Sequence, residues 1–303
     1  MKINIVGAGM AGLLAANMLR RHDITVFENQ SELPNNHHAV LRFKSPEVGN
    51  ILGIPFKKVS MIKTYVPFRN VVADSLSYSK KSTGKYLSDR SIIAGTIHAD
   101  RWIAPKNLIS TMAENINIQF NSSEYKFSMS YDVANNIPVI STIPMPSLMN
   151  ILDYQGREFF FSSVPGIVFC GTIQNCDAYV SVLFPGPEPY SRATITGDQL
   201  MIEFPNMEEI PESIDLALAY WHLGLDDVIV LDGEFKKQPY FKITEIDDSN
   251  RKKFQRWATV NYNIYSLGRY ATWRPKLLLD DLIDDVRKIE RWIAGGRNDN
   301  KNK

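Results

Sequence analysis

The first thirty residues constrain the fold more than any other part of the chain. Lys2-Ile3-Asn4-Ile5-Val6 reads as a short buried strand, and Gly7-Ala8-Gly9-Met10-Ala11-Gly12 follows it at once. Leu13, Leu14, Ala15, Ala16, Met18 and Leu19 recur at helical spacing, and Arg20, Arg21 and His22 put positive charge where the helix dipole favours it. Ile24-Thr25-Val26-Phe27 is a second strand, with Glu28 at its tip, 21 residues after Gly7. A G-x-G-x-x-G alone is weak evidence. Between a strand and a helix, with an acidic residue at this distance, it specifies a βαβ unit that takes a dinucleotide. Gly7 permits the tight turn, Gly9 lets a pyrophosphate approach the backbone, and Gly12 lets the helix pack close to the strands. Met10 and Ala11 open the helix, whose free N–H groups and positive dipole end suit phosphates. Glu28 is placed to accept from ribose hydroxyls, and its charge disfavours the 2′-phosphate of NADP.

A simple NAD-binding domain would go on alternating strand and helix for ~150 residues. This chain does not. An irregular stretch from Ser31 to Asn36 leads into His37-His38-Ala39-Val40-Leu41-Arg42-Phe43. Residues 60–98 read as β-rich, with Ile62–Tyr65, Val71–Ala73 and a hairpin around Lys81–Gly84. The α/β pattern resumes with a helix from Pro105 to about Glu114, a strand at Ile116–Phe120, a buried strand at Val139–Thr142 and a helix at Leu148–Leu152. Residues 155–245 turn β-rich again, with strands at Glu158–Ser163, Ile167–Cys170, Ala178–Phe184, Ala193–Thr196 and Gln199–Phe204. A helix over Ile214–Leu223 interrupts them. A last strand, Asn263–Leu267, runs into Gly268-Arg269-Tyr270-Ala271-Thr272-Trp273 and a helix from Pro275 to about Ile293. The fold class is α/β: a Rossmann-type nucleotide-binding domain interleaved with a β-sheet-rich substrate domain. The first comprises residues 1–60, 95–150 and 250–295, the second 61–94 and 151–249, and 296–303 are expected to be a flexible tail.

Composition excludes some roles. The 34 Lys+Arg against 33 Asp+Glu leave a net charge of +1, which argues against bulk-charge binding to nucleic acid. No apolar stretch is long enough for a transmembrane helix, and the opening run is too short for a signal peptide. A cytoplasmic protein without membrane contact is expected. Cys170 and Cys176 read as reduced core residues, and no Cys/His pair completes a metal-ligand spacing, so no metal is expected.

This layout resembles the FAD-binding superfamily of amine oxidases, p-hydroxybenzoate-type hydroxylases and UDP-galactopyranose mutase. Four stretches carry the resemblance. Gly7–Gly12 with Glu28 is similar to the ADP fingerprint. Ile140-Ser141-Thr142-Ile143-Pro144 resembles the strand ending in Thr-x-Pro, Pro189–Thr194 resembles a sheet segment of the mutase branch, and Tyr265–Trp273 resembles its C-terminal flavin-contact motif. The resemblance implies FAD as cofactor, held by Gly7, Gly9, Met10, Ala11, Gly12, Glu28, Arg42, Thr142, Gly268, Arg269 and Trp273. Trp273 reads either as a wall against the flavin ring or as a packing aromatic, and Arg269 either as an anion contact or as a structural ion pair. Two departures stand out. The Gly-Gly pair of amine oxidases is replaced by Asn35-Asn36-His37-His38, and the Gly-Asp of the hydroxylases by Gly268-Arg269. The 37–43 stretch is also similar to flavoproteins of large bacteriophages, some of which belong to thymidine hypermodification. That implies a host-cytoplasm location and an amino-acid adduct on a DNA base as substrate.

Because flavin carries hydride chemistry itself, the protein need supply only orientation, electrostatics and access. Lys242, in Gln238-Pro239-Tyr240-Phe241-Lys242-Ile243, is similar in context to the lysine that amine oxidases place near flavin N5. It reads otherwise as a solvated strand residue. Among His37, His38, His98 and His222, His38 is the candidate acid–base group. Lys57, Lys58, Lys80, Lys81, Lys85 and Arg90 read as solvated or as a basic rim. The leading reaction is oxidation of a C–N bond of a small amine or modified nucleobase with O2 as reoxidant. Hydroxylation with NAD(P)H and a redox-neutral mutase or non-catalytic flavin protein are the alternatives. No oligomeric state is implied.

Overall fold

The computed structural model describes residues 1–33, 42–87, 91–122, 136–156, 159–211 and 230–299. The chain begins β1 (Lys2–Val6), α1 (Met10–Met18), β2 (Asp23–Phe27), β3 (Arg42–Phe43), α2 (Glu47–Leu52), β4 (Lys57–Tyr65) and α3 (Val71–Thr83). It continues with β5 (Ile97–Ile103), α4 (Leu108–Ala113), β6 (Asn117–Gln119), β7 (Val139–Ser141), α5 (Met145–Ile151) and β8 (Ser163–Ile173). The remaining described elements are β9 (Ala178–Leu183), β10 (Arg192–Gly197), β11 (Gln199–Pro205), β12 (Val230–Ile243), α6 (Asp248–Tyr262), β13 (Ile264–Ser266) and α7 (Leu282–Asp299). No helix among the described residues is long and apolar enough to cross a membrane.

Two sheets organise these elements. The first is parallel and five-stranded, in the order β13-β7-β1-β2-β6. Its centre is buried, with Val139–Ser141 of β7 and Ile3, Asn4 and Ile5 of β1 shielded from solvent, while the edge strand β6 stays largely exposed. α1 is apolar on nearly every side, as a helix wedged against a sheet must be: Leu13, Leu14, Ala15 and Ala16 are fully buried. They pack with Ile3, Ile5 and Val26 of the sheet and with Leu282, Ile283, Val286 and Ile289 of α7. Each large aliphatic chain buried there contributes roughly 1.5–3 kcal/mol.

The second sheet is mixed and eight-stranded, in the order β12-β8-β11-β10-β9-β4-β5-β3. Side chains alternate between its faces. Ala193 and Ile195 of β10, Leu200, Ile202 and Phe204 of β11, and Ile167 and Phe169 of β8 join one apolar cluster. The intervening residues, including Arg192, Thr194 and Glu203, point to the opposite face.

Several expectations are corrected. Residues 71–83 form a helix, not strands and a hairpin: Asn70 caps it by accepting from Ala73 N–H, Asp74 occupies its first turn, and Lys80 and Lys81 its last. The boundary at residue 60 also moves, because β3, β4 and β5 all join the second sheet. The last helix starts at Leu282, not Pro275, and continues to Asp299, so residues 296–299 are helical rather than tail. α6 has no counterpart in the sequence reading; its start is fixed by Asp247, whose carboxylate accepts from Asn250 N–H. Among the described residues of the expected strand 158–163, only Ser163 is extended; Phe159 and Phe161 pack near Trp273, while Phe160 is exposed. The helix expected at 214–223 lies outside the described residues.

Candidate active site

The turn after β1 is built for close approach. Gly7 has φ +99°, and a Cβ placed there would lie 2.1 Å from Thr142 Oγ1. Thr142, just past β7, donates from that hydroxyl to Val6 O at 2.7 Å, so the two parallel strands are stitched together at their C-terminal ends. A Cβ on Gly12 would lie 1.9 Å from Gly7 O, which leaves only hydrogen at this position. Gly9 differs: a Cβ there would meet nothing within 4 Å. Gly9 is the N-cap of α1, no side chain caps that end, and no acidic residue stands in its first turn. The helix start therefore faces open space with its N–H groups and positive dipole end, a cradle that fits a diphosphate.

Glu28 at the tip of β2 is held on both oxygens. It accepts from Ala8 N–H at 2.7 Å and from Gln30 N–H at 3.0 Å. These two bonds leave acceptor capacity on a carboxylate fixed beside the glycine turn.

Gly268, after β13, comes to the other side of α1. Its φ is +99°, and an added Cβ would lie 3.2 Å from the Ala11 methyl. The C-terminal loop and the glycine turn thus flank the same helix start. Thr272 and Trp273 brace this loop: Thr272 Oγ1 donates to Gly268 O at 2.7 Å, and the Trp273 indole N–H donates to Thr244 O at 3.0 Å. Trp273 is 1% exposed, sits edge-on to Phe161 and Tyr240, and adopts φ +47°, a conformation rare for bulky residues. It presents no open ring face. It ties the loop to the end of β12.

Two residues before Thr244, Lys242 lies on the second sheet. Its Nζ contacts Glu203 Oε2 at 3.0 Å, and the other oxygen of Glu203 pairs with Arg192. Burial, with Arg192 and Arg269 nearby, lowers the Lys242 amine to about 8 despite the pull of Glu203. Burial alone would raise the Glu203 carboxyl, but Arg192 and Lys242 outweigh it and hold it at about 2. Arg42 belongs to the same group: burial and Arg192 bring its guanidinium down to about 9. Lys242 is therefore neither solvated nor alone. Arg192 and Glu203 were not singled out as functional by sequence, because residues on different strands meet only through register.

His38 lies outside the described residues, as do His37 and His222. His98 sits on β5, 3.4 Å from Ser60 Oγ, away from the glycine turn. The lysines read as a rim are dispersed: Lys57 reaches Asp177 and Tyr179, Lys58 reaches Asp100, and Lys81 donates to Phe184 O and Tyr190 O. Both cysteines are free, with Cys170 buried and its thiol pushed up to about 12 by burial. A groove of about 1020 Å³ lies elsewhere, between α6, β13 and α7. Its acidic side chains Asp248 and Asp285 are already paired with Arg251 and Arg274. It shares no residue with the glycine turn.

Comparison with known proteins agrees with this geometry. Residues 5–36 match the family model of the NAD(P)-binding Rossmann-like domain. No curated protein matches the sequence. Among solved structures, reduced UDP-galactopyranose mutase superposes with a TM-score of 0.68 at 14% identity, covering 97% of this chain and 96% of that one. Glycine oxidase from Bacillus cereus gives 0.56 at 14% identity, covering 97% and 95%. An oxidoreductase from Methanosarcina mazei gives 0.55 at 10% identity, covering 96% and 100%. The interleaved Rossmann and β-sheet architecture of this chain is thus the fold of UDP-galactopyranose mutase and glycine oxidase.

Proposed function

We propose that the chain is an FAD-dependent oxidoreductase. The observation that carries this reading is the uncapped start of α1, open at Gly9 and approached by Gly268 from the C-terminal loop. The N–H groups of that helix start would bind the diphosphate, Glu28 the adenosine ribose, and the Gly268–Arg269 loop the far end of the cofactor. When bound, FAD would supply a hydride acceptor. The substrate would lie between that loop and the Lys242 face of the second sheet.

The favoured reaction is oxidation of a C–N bond to an imine that water hydrolyses, with O2 as final acceptor. Lys242 supports it, since an amine held at about 8 is partly neutral near neutral pH and can hold a water or accept a proton. The test is anaerobic mixing of the purified yellow protein with amines, amino acids and an aminoacyl thymidine. Bleaching by one of them is the expected result. Bleaching by NAD(P)H alone would favour a monooxygenase, and bleaching by neither a redox-neutral enzyme. Protein that is colourless and takes up no FAD would overturn the whole reading.

A further inference from the structure

The groove of about 1020 Å³ between α6, β13 and α7 stands apart from the glycine turn and has its own electrostatic character. Each helix turns one stripe toward it. Lys252, Arg256 and Thr259 of α6 recur at spacings of four and three, and Asp285, Lys288 and Trp292 of α7 at three and four. Tyr265 and Ser266 of β13, with Thr272 from the loop after it, complete the lining.

The charges on this lining are uneven. Six cations stand there, Arg251, Lys252, Lys253, Arg256, Arg274 and Lys288, against the two carboxylates of Asp248 and Asp285. Both carboxylates are committed, Asp248 to Arg251 and Lys252, and Asp285 to Arg274. Lys253 and Lys288 have no carboxylate partner among the described residues. The whole chain carries a net charge of only +1, so the surplus is a local property of this cavity.

Two of the cations are held in place. Arg251 donates to Thr272 O at 3.2 Å, and Arg274 Nε donates to Thr272 Oγ1 at 3.1 Å while its Nη2 reaches Asp285. Arg274 is thus oriented in advance of any ligand, with 34% of its side chain accessible and Nη1 left as a donor. Lys288 Nζ stands 4.8 Å from the centroid of the Trp292 ring, and Tyr265 stacks against that ring. The aromatic pair therefore holds a lysine in position instead of offering a bare surface for bases to stack on.

We propose that this groove is a binding site for a polyphosphate, a ligand with several adjacent phosphoryl groups, either free or as the tail of a nucleotide. Arg274, Lys253 and Lys288 take its oxygens. A lone carboxylate would answer one of these charges, whereas a run of phosphoryl groups answers them together. The cavity has the size of a small-molecule pocket. The site is independent of the flavin reading, because none of its cations belongs to the proposed cofactor cradle.

The test titrates FAD-saturated protein calorimetrically with sodium triphosphate at physiological ionic strength. Saturation keeps the start of α1 from competing, and flavin content is scored separately by absorbance. Should the protein take up no FAD, the same variants still map the bound anion. Triphosphate is expected to bind at a single site, weakened about tenfold or more in the double variant K253Q/K288Q and in R274K. R274K keeps a charge for Asp285 while removing the fork, and the two lysines can be replaced without breaking an ion pair. K58Q/K237Q, with the same loss of charge on the second sheet, should bind as wild type does. ATP binding tighter than triphosphate would identify a nucleotide, and equal binding the phosphate chain alone; either supports the proposal. No binding of triphosphate or ATP, binding unchanged in K253Q/K288Q, or an equal loss in K58Q/K237Q overturns it. Tighter binding of an oligothymidylate or of a polyglutamate peptide also overturns it, by making a nucleic acid or an acidic protein the occupant.

Discussion

Glu203 and Arg192 face each other as registered partners across the β10–β11 pair, and the second oxygen of the same carboxylate reaches Lys242 on β12. One buried acid therefore holds two cations from two strands. E203Q should destabilise the protein by about 3–5 kcal/mol, because both cations lose their counter-charge at once. Urea unfolding of the two proteins measures this. Replacing all three residues with apolar ones of similar volume should recover most of that loss. The linkage has a definite sign: with the carboxyl held at about 2, below its ordinary 4.5, its stabilisation is present above pH 4.5 and fades as pH falls toward 2. E203Q should lack that component.

Gly9 offers a cleaner test of the cofactor site than its neighbours. An alanine there meets nothing in the protein, so G9A should unfold within about 0.5 kcal/mol of wild type when FAD is absent. Its methyl would occupy the space proposed for the diphosphate, and FAD affinity should fall about tenfold or more. G12A should fail differently, losing stability with or without FAD, because its methyl meets Gly7 O. Fluorescence titration with FAD, together with thermal unfolding, separates the two.

Lys242 should leave a signature in the pH profile. If its neutral amine is the working form, kcat should rise with pH through about 8. The step should vanish in K242M. In E203Q it should move to lower pH, because Glu203 is the group that favours the charged amine. A profile identical in all three proteins would remove Lys242 from the reaction.

W273F keeps an aromatic core residue but removes the N–H that binds Thr244 O. That carbonyl would be left without its indole donor, at a cost of about 1–3 kcal/mol. Because Trp273 ties the loop of Gly268 to the end of β12, FAD retention should fall along with stability. Dialysis followed by absorbance would show it.

The nucleotide end was legible from sequence because its signals are local: a strand, three glycines, a helix and an acid lie within thirty residues. Thr142 was legible as part of a strand ending in Thr-x-Pro, though its bond to Val6 O was not. α3 was misread because Val71 and Val72 resemble a strand, whereas the Asn70 cap, Asp74, and the lysines before Gly84 are the helix signals that prevail. The partnership of Glu203 with Lys242 was invisible for a different reason. Those residues are 39 positions apart, and only hydrogen-bond register through β8 brings them together. The apolar/polar alternation of β10 and β11 was the one available hint that Arg192 and Glu203 share a face.

That alternation sets out two messages in the same strands. In β10 and β11, Ala193, Ile195, Leu200, Ile202 and Phe204 build the apolar cluster, while Arg192, Thr194, Met201 and Glu203 lie on the other face, where Arg192 and Glu203 form an ion pair. Because the side-chain period is two, a single inserted residue in either strand would exchange the two faces and scramble both texts together.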